Sequence, residues 1–141
     1  MFKFKPYLTF SGNCEEAIHF YERAFNTKAD CIVRYSDERL FNLSVDLSTS
    51  LSGEQKNYIY HAEMKIGNDI FCFFDVIGME VRDWNSRFFT VRFETRDEVE
   101  RSIKILMEEA VKVIPFAQTM FSPYTGIITD KYQISWDIKT A

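Results

Sequence analysis

The sequence predicts an α+β fold made of two βαβββ modules in a single domain of 141 residues. A strand, a capped helix and further strands occur twice along the chain, which is typical of an internal repeat. The 14 phenylalanines fall mainly in strand-like runs, and aromatic side chains fit the half-buried surface of a sheet. We therefore expect modules at about residues 1–75 and 87–141, with a connector at residues 76–86. A chain of this length buries a core without disulfides or a metal.

The first module begins with a short apolar strand at residues 6–10. Asn13 is a candidate helix cap, and Glu16 lies three residues later, as it does in a capping box. Apolar residues then recur at helical spacing as far as Phe25. Residues 31–35 form the second predicted strand of the module.

The remaining strands of the first module form a predicted hairpin. Apolar and polar residues alternate through residues 60–66, which indicates a strand with one buried face. Gly67 and Asn68 both tolerate a positive φ, so they predict a tight turn before the strand at residues 70–75. Residues 36–57 are loop-like in composition, and we expect part of this segment to be a mobile excursion.

The second module repeats this order of elements. Residues 88–94 form its first predicted strand, and Thr95 with Glu98 forms a capping box for a helix that continues to about Ala110. Three short apolar pieces complete the module as predicted strands, at residues 113–116, 124–129 and 134–138.

Charge and composition exclude several kinds of partner. The formal net charge is −4 and the cationic residues form no basic stripe, so we expect no binding of nucleic acid. No apolar run approaches the roughly 20 residues of a membrane helix, and the first residues lack the apolar core of a signal peptide. We therefore expect no membrane association and a cytoplasmic location. Cys14, Cys31 and Cys72 form no C-x-x-C pair, so we expect three reduced, mostly buried thiols.

Three stretches together resemble the PhnB-like branch of the vicinal-oxygen-chelate superfamily, which includes glyoxalases, bleomycin-resistance proteins and dioxygenases. They are residues 7–21, 61–67 and 124–136, the last being similar to the closing motif G-x-x-x-D-x-F-G-x-x-W. The resemblance implies curved, mostly antiparallel sheets around a cup, and a homodimer, since the superfamily commonly builds its cups between paired modules. Two departures matter. Gln133 replaces a glycine of the closing turn, which is therefore expected to be remodelled or strained, and residues 36–57 match no family pattern.

Enzymes of the superfamily hold a divalent metal with histidine and carboxylate side chains from four strands. The resemblance transfers those four positions to about Lys5, Cys72, Phe88 and Asp137. Hard divalent cations bind several oxygen or nitrogen donors, and among these four residues only Asp137 plainly offers one. We therefore expect no metal and no other cofactor. The five glycines form no phosphate- or dinucleotide-binding loop.

The alternation of side chains along the predicted strands determines which residues face the cup. Trp136 is expected in the core, with Asp137 facing inward. Arg92 is the candidate anchor for an anionic ligand, because a guanidinium binds carboxylate or phosphate in two places; the alternative is an ion pair with Glu63 or Asp137. The residues expected to line the ligand pocket are Tyr7, Thr9, His61, Glu63, Cys72, Phe74, Phe88, Thr90, Arg92 and Asp137.

Three functions are compatible with this lining. The one we favour is a metal-independent protein that binds a compact polar or aromatic small molecule. The second is a lyase or isomerase in which His61 is a general base oriented by Glu63, or a metal enzyme that uses Asp137 with both. The alternative for His61 and Glu63 is ordinary hydrogen bonding or contact with solvent. The third is an interaction protein whose cup is filled by Phe74 and Phe88.

Overall fold

The computed structural model describes residues 5–37, 51–77, 87–119 and 122–140. Most of the predicted excursion at residues 36–57 and of the connector at residues 76–86 lies outside these ranges. The elements confirm the predicted α+β class and the repeated order of strand, helix and strands. In chain order they are β1 (Tyr7–Phe10), α1 (Cys14–Phe25), β2 (Ala29–Arg34), a short 3₁₀ helix (Gln55–Asn57), β3 (Ile59–Ile66), β4 (Asp69–Asp75), β5 (Phe88–Phe93), α2 (Arg96–Leu106), β6 (Lys112–Thr119), β7 (Ser122–Thr129) and β8 (Ser135–Thr140).

The chain forms two compact units, each built on one four-stranded sheet. The first unit holds most of β1 to β4 and the start of α1. The second holds β5 to β8, α2, the end of α1 and the turn between β3 and β4. The strand order is β1-β4-β3-β2 in the first sheet and β5-β8-β7-β6 in the second. Because the two orders correspond strand for strand, the internal repeat seen in the sequence is also a repeat of topology.

The first sheet buries one face and leaves the other accessible. Parallel pairing of β1 with β4 places Tyr7 beside Cys72 and Leu8 beside Phe73. Leu8 and Phe73 have no exposed surface, whereas Tyr7 is 54 % exposed. In β3 Ala62, Met64 and Ile66 are buried and the residues between them are half-buried or exposed, as the alternation in the sequence predicts. Tyr60, predicted on the same face as these three, is 47 % exposed.

β2 is an irregular strand. It pairs antiparallel with β3, and the register shifts between Asp30 and Val33. Cys31 lies in this bulge with a φ of 52°, and its side chain is exposed. All three cysteines are free thiols, as expected, and the prediction of burial is correct for Cys14 and Cys72 but wrong for Cys31.

The second sheet is covered on one face by α2, which contacts β5, β7 and β8. Parallel pairing of β5 with β8 places Thr90 beside Asp137 and Arg92 beside Lys139. Val91, one position along the strand, is buried, as expected for the opposite face.

Thr95 and Glu98 form the predicted capping box at the start of α2. The Thr95 hydroxyl oxygen accepts a hydrogen bond from the Glu98 backbone nitrogen at 3.2 Å and donates to Glu98 Oε1 at 3.0 Å. The helix ends at Leu106, four residues earlier than predicted, and Glu109 has a left-handed φ of 55°. Neither α1 nor α2 is long and apolar enough to cross a membrane.

A buried carboxylate organises the closing motif. Asp130 Oδ2 accepts hydrogen bonds from Tyr21 Oη at 2.5 Å and from Trp136 Nε1 at 2.8 Å. Its Oδ1 accepts from the backbone nitrogens of Tyr132 and Ile134 at 2.8 and 3.1 Å. Burial raises the pKa of the Asp130 carboxyl, and these four hydrogen bonds oppose that shift. Trp136 has no exposed surface, which confirms its predicted place in the core.

The closing turn keeps a left-handed residue although its glycine is missing. Gln133 has a φ of 66°, and its backbone nitrogen donates to the carbonyl of Asp130 at 2.9 Å. The backbone nitrogen of Asp130 donates in turn to the carbonyl of Ile134 at 2.9 Å. The turn therefore retains a conformation that favours glycine, and glutamine carries the strain instead.

Candidate functional site

The first unit presents one accessible sheet face with six of the predicted pocket residues. The register of β1 with β4 places Thr9 beside Phe74, as it places Tyr7 beside Cys72, so these four side chains project from one face. β3 is the other neighbour of β4, and it contributes the half-buried side chains of His61 and Glu63. We define the first open face as Tyr7, Thr9, His61, Glu63, Cys72 and Phe74.

One carboxylate oxygen, Glu63 Oε1, is the polar centre of the first open face. It lies 2.9 Å from Lys5 Nζ, 3.5 Å from His61 Nε2 and 3.9 Å from Cys72 Sγ. The hydrogen bond from Lys5, together with the charge of Lys5, holds the pKa of Glu63 below its usual value. The same interaction raises the pKa of Lys5. Glu63 is therefore an anion that already accepts a charge-assisted hydrogen bond.

Cys72 lies between the polar centre and the aromatic residues of this face. It has no exposed surface, and burial raises the pKa of its thiol, while a hydrogen bond with Tyr7 opposes the shift. The sequence alone indicates no base near Cys72. The structure places both His61 and Glu63 beside it, with the ligand atoms of the three residues within 4.8 Å of one another. Cys72 is thus a protonated thiol next to two potential bases.

The aromatic part of the first open face consists of Tyr7, Phe74 and His61. The Tyr7 and Phe74 rings meet edge to face with their centroids 5.8 Å apart, and the Tyr7 and His61 rings are tilted at 6.3 Å. Edge-to-face contacts stabilise such pairs by about 0.5–1.5 kcal/mol beyond area burial, so the ring positions are defined. More than half of the Tyr7 surface still contacts solvent, which leaves a ring available to a ligand.

The second unit presents a comparable face on β5 and β8. We define the second open face as Phe88, Thr90, Arg92, Asp137 and Lys139. Phe88, Thr90 and Arg92 alternate with the buried or half-buried residues of β5, and all three are exposed. The predicted pocket residues of this module therefore share one side of one sheet.

Asp137 is held by hydrogen bonds on both of its carboxylate oxygens. Oδ1 accepts from the Thr125 hydroxyl at 3.1 Å, and Oδ2 accepts from the Thr90 hydroxyl at 3.1 Å. Lys139 Nζ lies 3.0 Å from Oδ2, and the side chains of the pair are only 15 % and 16 % exposed. The sequence analysis missed Lys139, although its position two residues after Asp137 places both side chains on the same face.

The ion pairs suggested for Arg92 are not the ones that form. Asp137 pairs with Lys139, and Glu63 pairs with Lys5. Arg92 lies beside Lys139 in the parallel register and is exposed. The other role suggested for Arg92, that of an anchor for an anionic ligand, stays a prediction.

The residues at the four positions that the resemblance implies for a metal offer few suitable donor atoms. Lys5 is a cation bonded to Glu63, and Phe88 has no donor atom. Asp137 already accepts from three donors. Cys72 is a buried thiol, which leaves no set of free oxygen and nitrogen donors among the four.

Asp75 supports the first open face and was not predicted. Its buried carboxylate accepts hydrogen bonds from the backbone nitrogens of Gly12 at 2.7 Å, Cys14 at 3.0 Å and Ile59 at 2.9 Å. It thereby joins the start of α1 to the start of β3 and positions the strands on either side of β4. The sequence could have indicated this role, because the spacing of two along β4 places Asp75 on the buried face, where a carboxylate requires hydrogen-bond donors.

Comparison with known proteins extends these observations. No protein-family model matches the sequence, and no curated protein matches it. A PhnB protein from Bacillus cereus is 22 % identical, with 99 % of this chain and 100 % of that chain covered and a TM-score of 0.74. For protein PA1353 from Pseudomonas aeruginosa the identity is 20 %, the coverage 99 % and 98 %, and the TM-score 0.79.

A third solved structure belongs to a more distant relative. The glyoxylase/bleomycin resistance protein/dioxygenase domain from Frankia sp. EAN1pec is 10 % identical, with 100 % of this chain and 92 % of that chain covered and a TM-score of 0.67. Likeness at these identities establishes the fold. The fold expected from the resemblance is thus confirmed: this chain has the glyoxalase/bleomycin-resistance fold.

Proposed function

We propose that this protein binds a small molecule on the open faces of its two sheets, as a binding protein of the glyoxalase/bleomycin-resistance type. The observation that supports the proposal most directly is the composition of those faces. Each combines aromatic rings with charged or hydrogen-bonding side chains, as small-molecule sites do. Tyr7 and Phe88 are 54 % and 47 % exposed, so a large part of each ring lies outside the core. The cup, the homodimer and the cytoplasmic location expected from the sequence belong to this proposal.

The charge of the second open face indicates the class of ligand. Asp137 neutralises Lys139, so Arg92 gives this group of three residues a net positive charge. Phe88 is four residues before Arg92 on β5, so both side chains project from the same side of the sheet, and the Phe88 ring is exposed. An exposed guanidinium and an exposed ring on the same side of one strand fit an aromatic carboxylate or phosphate.

The proposed binding needs no metal at the superfamily's four positions. The side chains of the second open face supply what an anionic ligand requires: a cation at Arg92, a ring at Phe88 and a hydroxyl at Thr90. A small anion held in this way exchanges its hydration shell for a bidentate contact with a guanidinium.

A titration with simple probes tests this proposal. The metal-free protein is labelled with ¹⁵N and titrated with benzoate and with phenyl phosphate, and amide shifts in β5 and β8 are followed. Removing one exposed charge-assisted contact by Arg92→Ala should weaken binding about ten-fold. Arg101→Ala removes an exposed arginine of α2 and is the matched control, with unchanged binding. No shift in β5 and β8, or equal affinity in Arg92→Ala, would overturn the proposed ligand class.

The contact between His61 and Glu63 favours a second candidate, a lyase or isomerase. His61 Nε2 lies 3.5 Å from Glu63 Oε1, so the carboxylate can orient the imidazole as a general base. The test is exchange of the C3 protons of phenylpyruvate in D₂O, followed by NMR. This candidate requires that the wild-type protein exchanges these protons faster than buffer alone and that His61→Ala does not. His19→Ala is the control, since His19 is the other histidine of the chain, and it should exchange them like the wild type. Equal rates in both variants would exclude it.

A further inference from the structure

We propose that His61, Glu63 and Cys72 bind one divalent transition metal ion of the zinc class. This site lies within one sheet and uses two residues of β3 with one of β4. It shares only Cys72 with the four positions of the superfamily's metal. It goes beyond the proposed function, which assigns no metal, and the anion proposed there is held by Arg92 of the second open face rather than by these three residues.

Two of the three distances between the donors are close to those around a bound zinc ion. Zinc bonds of about 2.0 Å to nitrogen or oxygen and about 2.3 Å to sulfur, in tetrahedral geometry, separate nitrogen from oxygen by about 3.3 Å and sulfur from oxygen by about 3.5 Å. His61 Nε2 lies 3.5 Å and Cys72 Sγ 3.9 Å from Glu63 Oε1. The imidazole and the thiol lie no more than 4.8 Å apart. Shifts of a few tenths of an ångström at Glu63 and a modest rotation of His61 complete the geometry.

The donor set selects the kind of metal. Imidazole, thiolate and carboxylate together suit zinc and cobalt(II), whereas magnesium and calcium require oxygen ligands. Three protein ligands leave one tetrahedral position open to water, as they do in zinc sites that are not purely structural. Cys72 has to lose its thiol proton to coordinate, so each ion that binds releases one proton to the solvent as the metal–sulfur bond forms.

Strand geometry holds two of the ligands in advance. His61 and Glu63 are two residues apart on β3, so they project from the same side of the sheet. Cys72 has no exposed surface, and a buried side chain has little freedom to leave the cluster. The His61 and Glu63 side chains are 30 % and 23 % exposed, which gives an ion a path from solvent.

Lys5 competes with the metal for Glu63. Its ammonium nitrogen lies 2.9 Å from the carboxylate oxygen that is nearest to His61 and Cys72. The Lys5 side chain is 42 % exposed, so it can move into solvent when an ion takes its place. This competition leads to a specific expectation: Lys5→Met should bind the metal more tightly than the wild-type protein does.

Cobalt(II) titration of reduced protein, prepared without an affinity tag, tests the site. We expect one cobalt per chain and a thiolate-to-cobalt charge-transfer band in the near ultraviolet. The band should vanish in Cys72→Ser, and His61→Ala should weaken binding by more than about 100-fold, since even outer-shell changes cost 10–100-fold. The matched controls are Cys31→Ser, which removes an exposed thiol, and His19→Ala, which removes the other histidine. Both should bind like the wild type.

Several results would overturn the site. They are the absence of the charge-transfer band in the wild type, its persistence in Cys72→Ser, or its loss in Cys31→Ser. Loss of binding in Asp137→Ala would place the ion at the superfamily's positions instead. If circular dichroism shows that Cys72→Ser does not fold, Glu63→Gln replaces it as the test, because the Glu63 side chain is partly exposed and its substitution disturbs the core less. An unchanged affinity of Glu63→Gln for cobalt refutes the proposal. Benzoate binding is measured on metal-free protein, so the failure of the metal site and the failure of the proposed anion binding are distinguishable.

Discussion

The substitution Asp130→Asn isolates the buried network of the closing motif. Asp130 accepts from four donors, two on each oxygen: Tyr21 and Trp136 on Oδ2, and the backbone nitrogens of Tyr132 and Ile134 on Oδ1. An asparagine side chain keeps one acceptor oxygen and replaces the other with an amino group. With the amino group at the Oδ2 position, the Tyr21 hydroxyl can turn and accept from it, but Trp136 Nε1 then faces another donor, and the remaining hydrogen bonds lose the carboxylate charge.

The expected loss follows from the Trp136 donor and from the lost charge. A hydrogen bond to a charged group contributes about 1.5–3 kcal/mol and a neutral one about 0.5–1.5 kcal/mol, so losing one and weakening three costs about 3–6 kcal/mol. Asparagine also removes a buried charge, whose desolvation is what raises the pKa of Asp130, and this relief offsets part of the loss. We therefore expect Asp130→Asn to lower the free energy of unfolding by about 3 kcal/mol at neutral pH.

Urea unfolding followed by far-ultraviolet circular dichroism measures this loss. Tyr21→Phe is the matched comparison, since it removes one donor and leaves the carboxylate with three; it should cost about 1.5–2 kcal/mol. A loss below about 1 kcal/mol in Asp130→Asn would show that the hydrogen bonds to the carboxylate contribute little to stability. A loss of stability in Tyr21→Phe as large as that in Asp130→Asn would refute the expectation that Tyr21 accounts for only one of the four hydrogen bonds to Asp130.

Two further predictions concern the same motif. Burial raises the pKa of Asp130 above its ordinary value of 3.8, so the folded protein binds this proton more tightly than the unfolded chain does. The stability that the group contributes is thus greatest below that value and falls as the pH rises through the folded-state pKa. In urea titrations, the difference in unfolding free energy between wild type and Asp130→Asn should therefore shrink as the pH rises above about 4; a difference that grows would contradict a raised pKa. Gln133→Gly should stabilise the protein by about 0.5 kcal/mol in the same assay, because relief of about 1–2 kcal/mol of left-handed strain exceeds the added chain entropy of glycine; a loss of stability would contradict this.

Local patterns predicted the elements because their causes are local. The period of two in β3, the capping box of Thr95 and Glu98, and the repeated order of elements all depend on residues close together in the chain. Such patterns also place Tyr7 and Thr9 on one face and Thr90 and Arg92 on another, because a strand alternates strictly. The resemblance of three separated stretches then identified the fold.

Only the tertiary structure decided which polar groups are partners. Glu63 pairs with Lys5, 58 positions away in the chain, and the carboxylate of Asp75 joins backbone nitrogens on two different elements. Nothing local connects Cys72 to His61 and Glu63, because the strand register that joins them is set by the whole sheet. The sequence by itself determined the elements, the fold and the two open faces of this protein. The pairing of charges and the ligand cluster on β3 and β4 required the structure, because contacts between distant segments depend on how strands align.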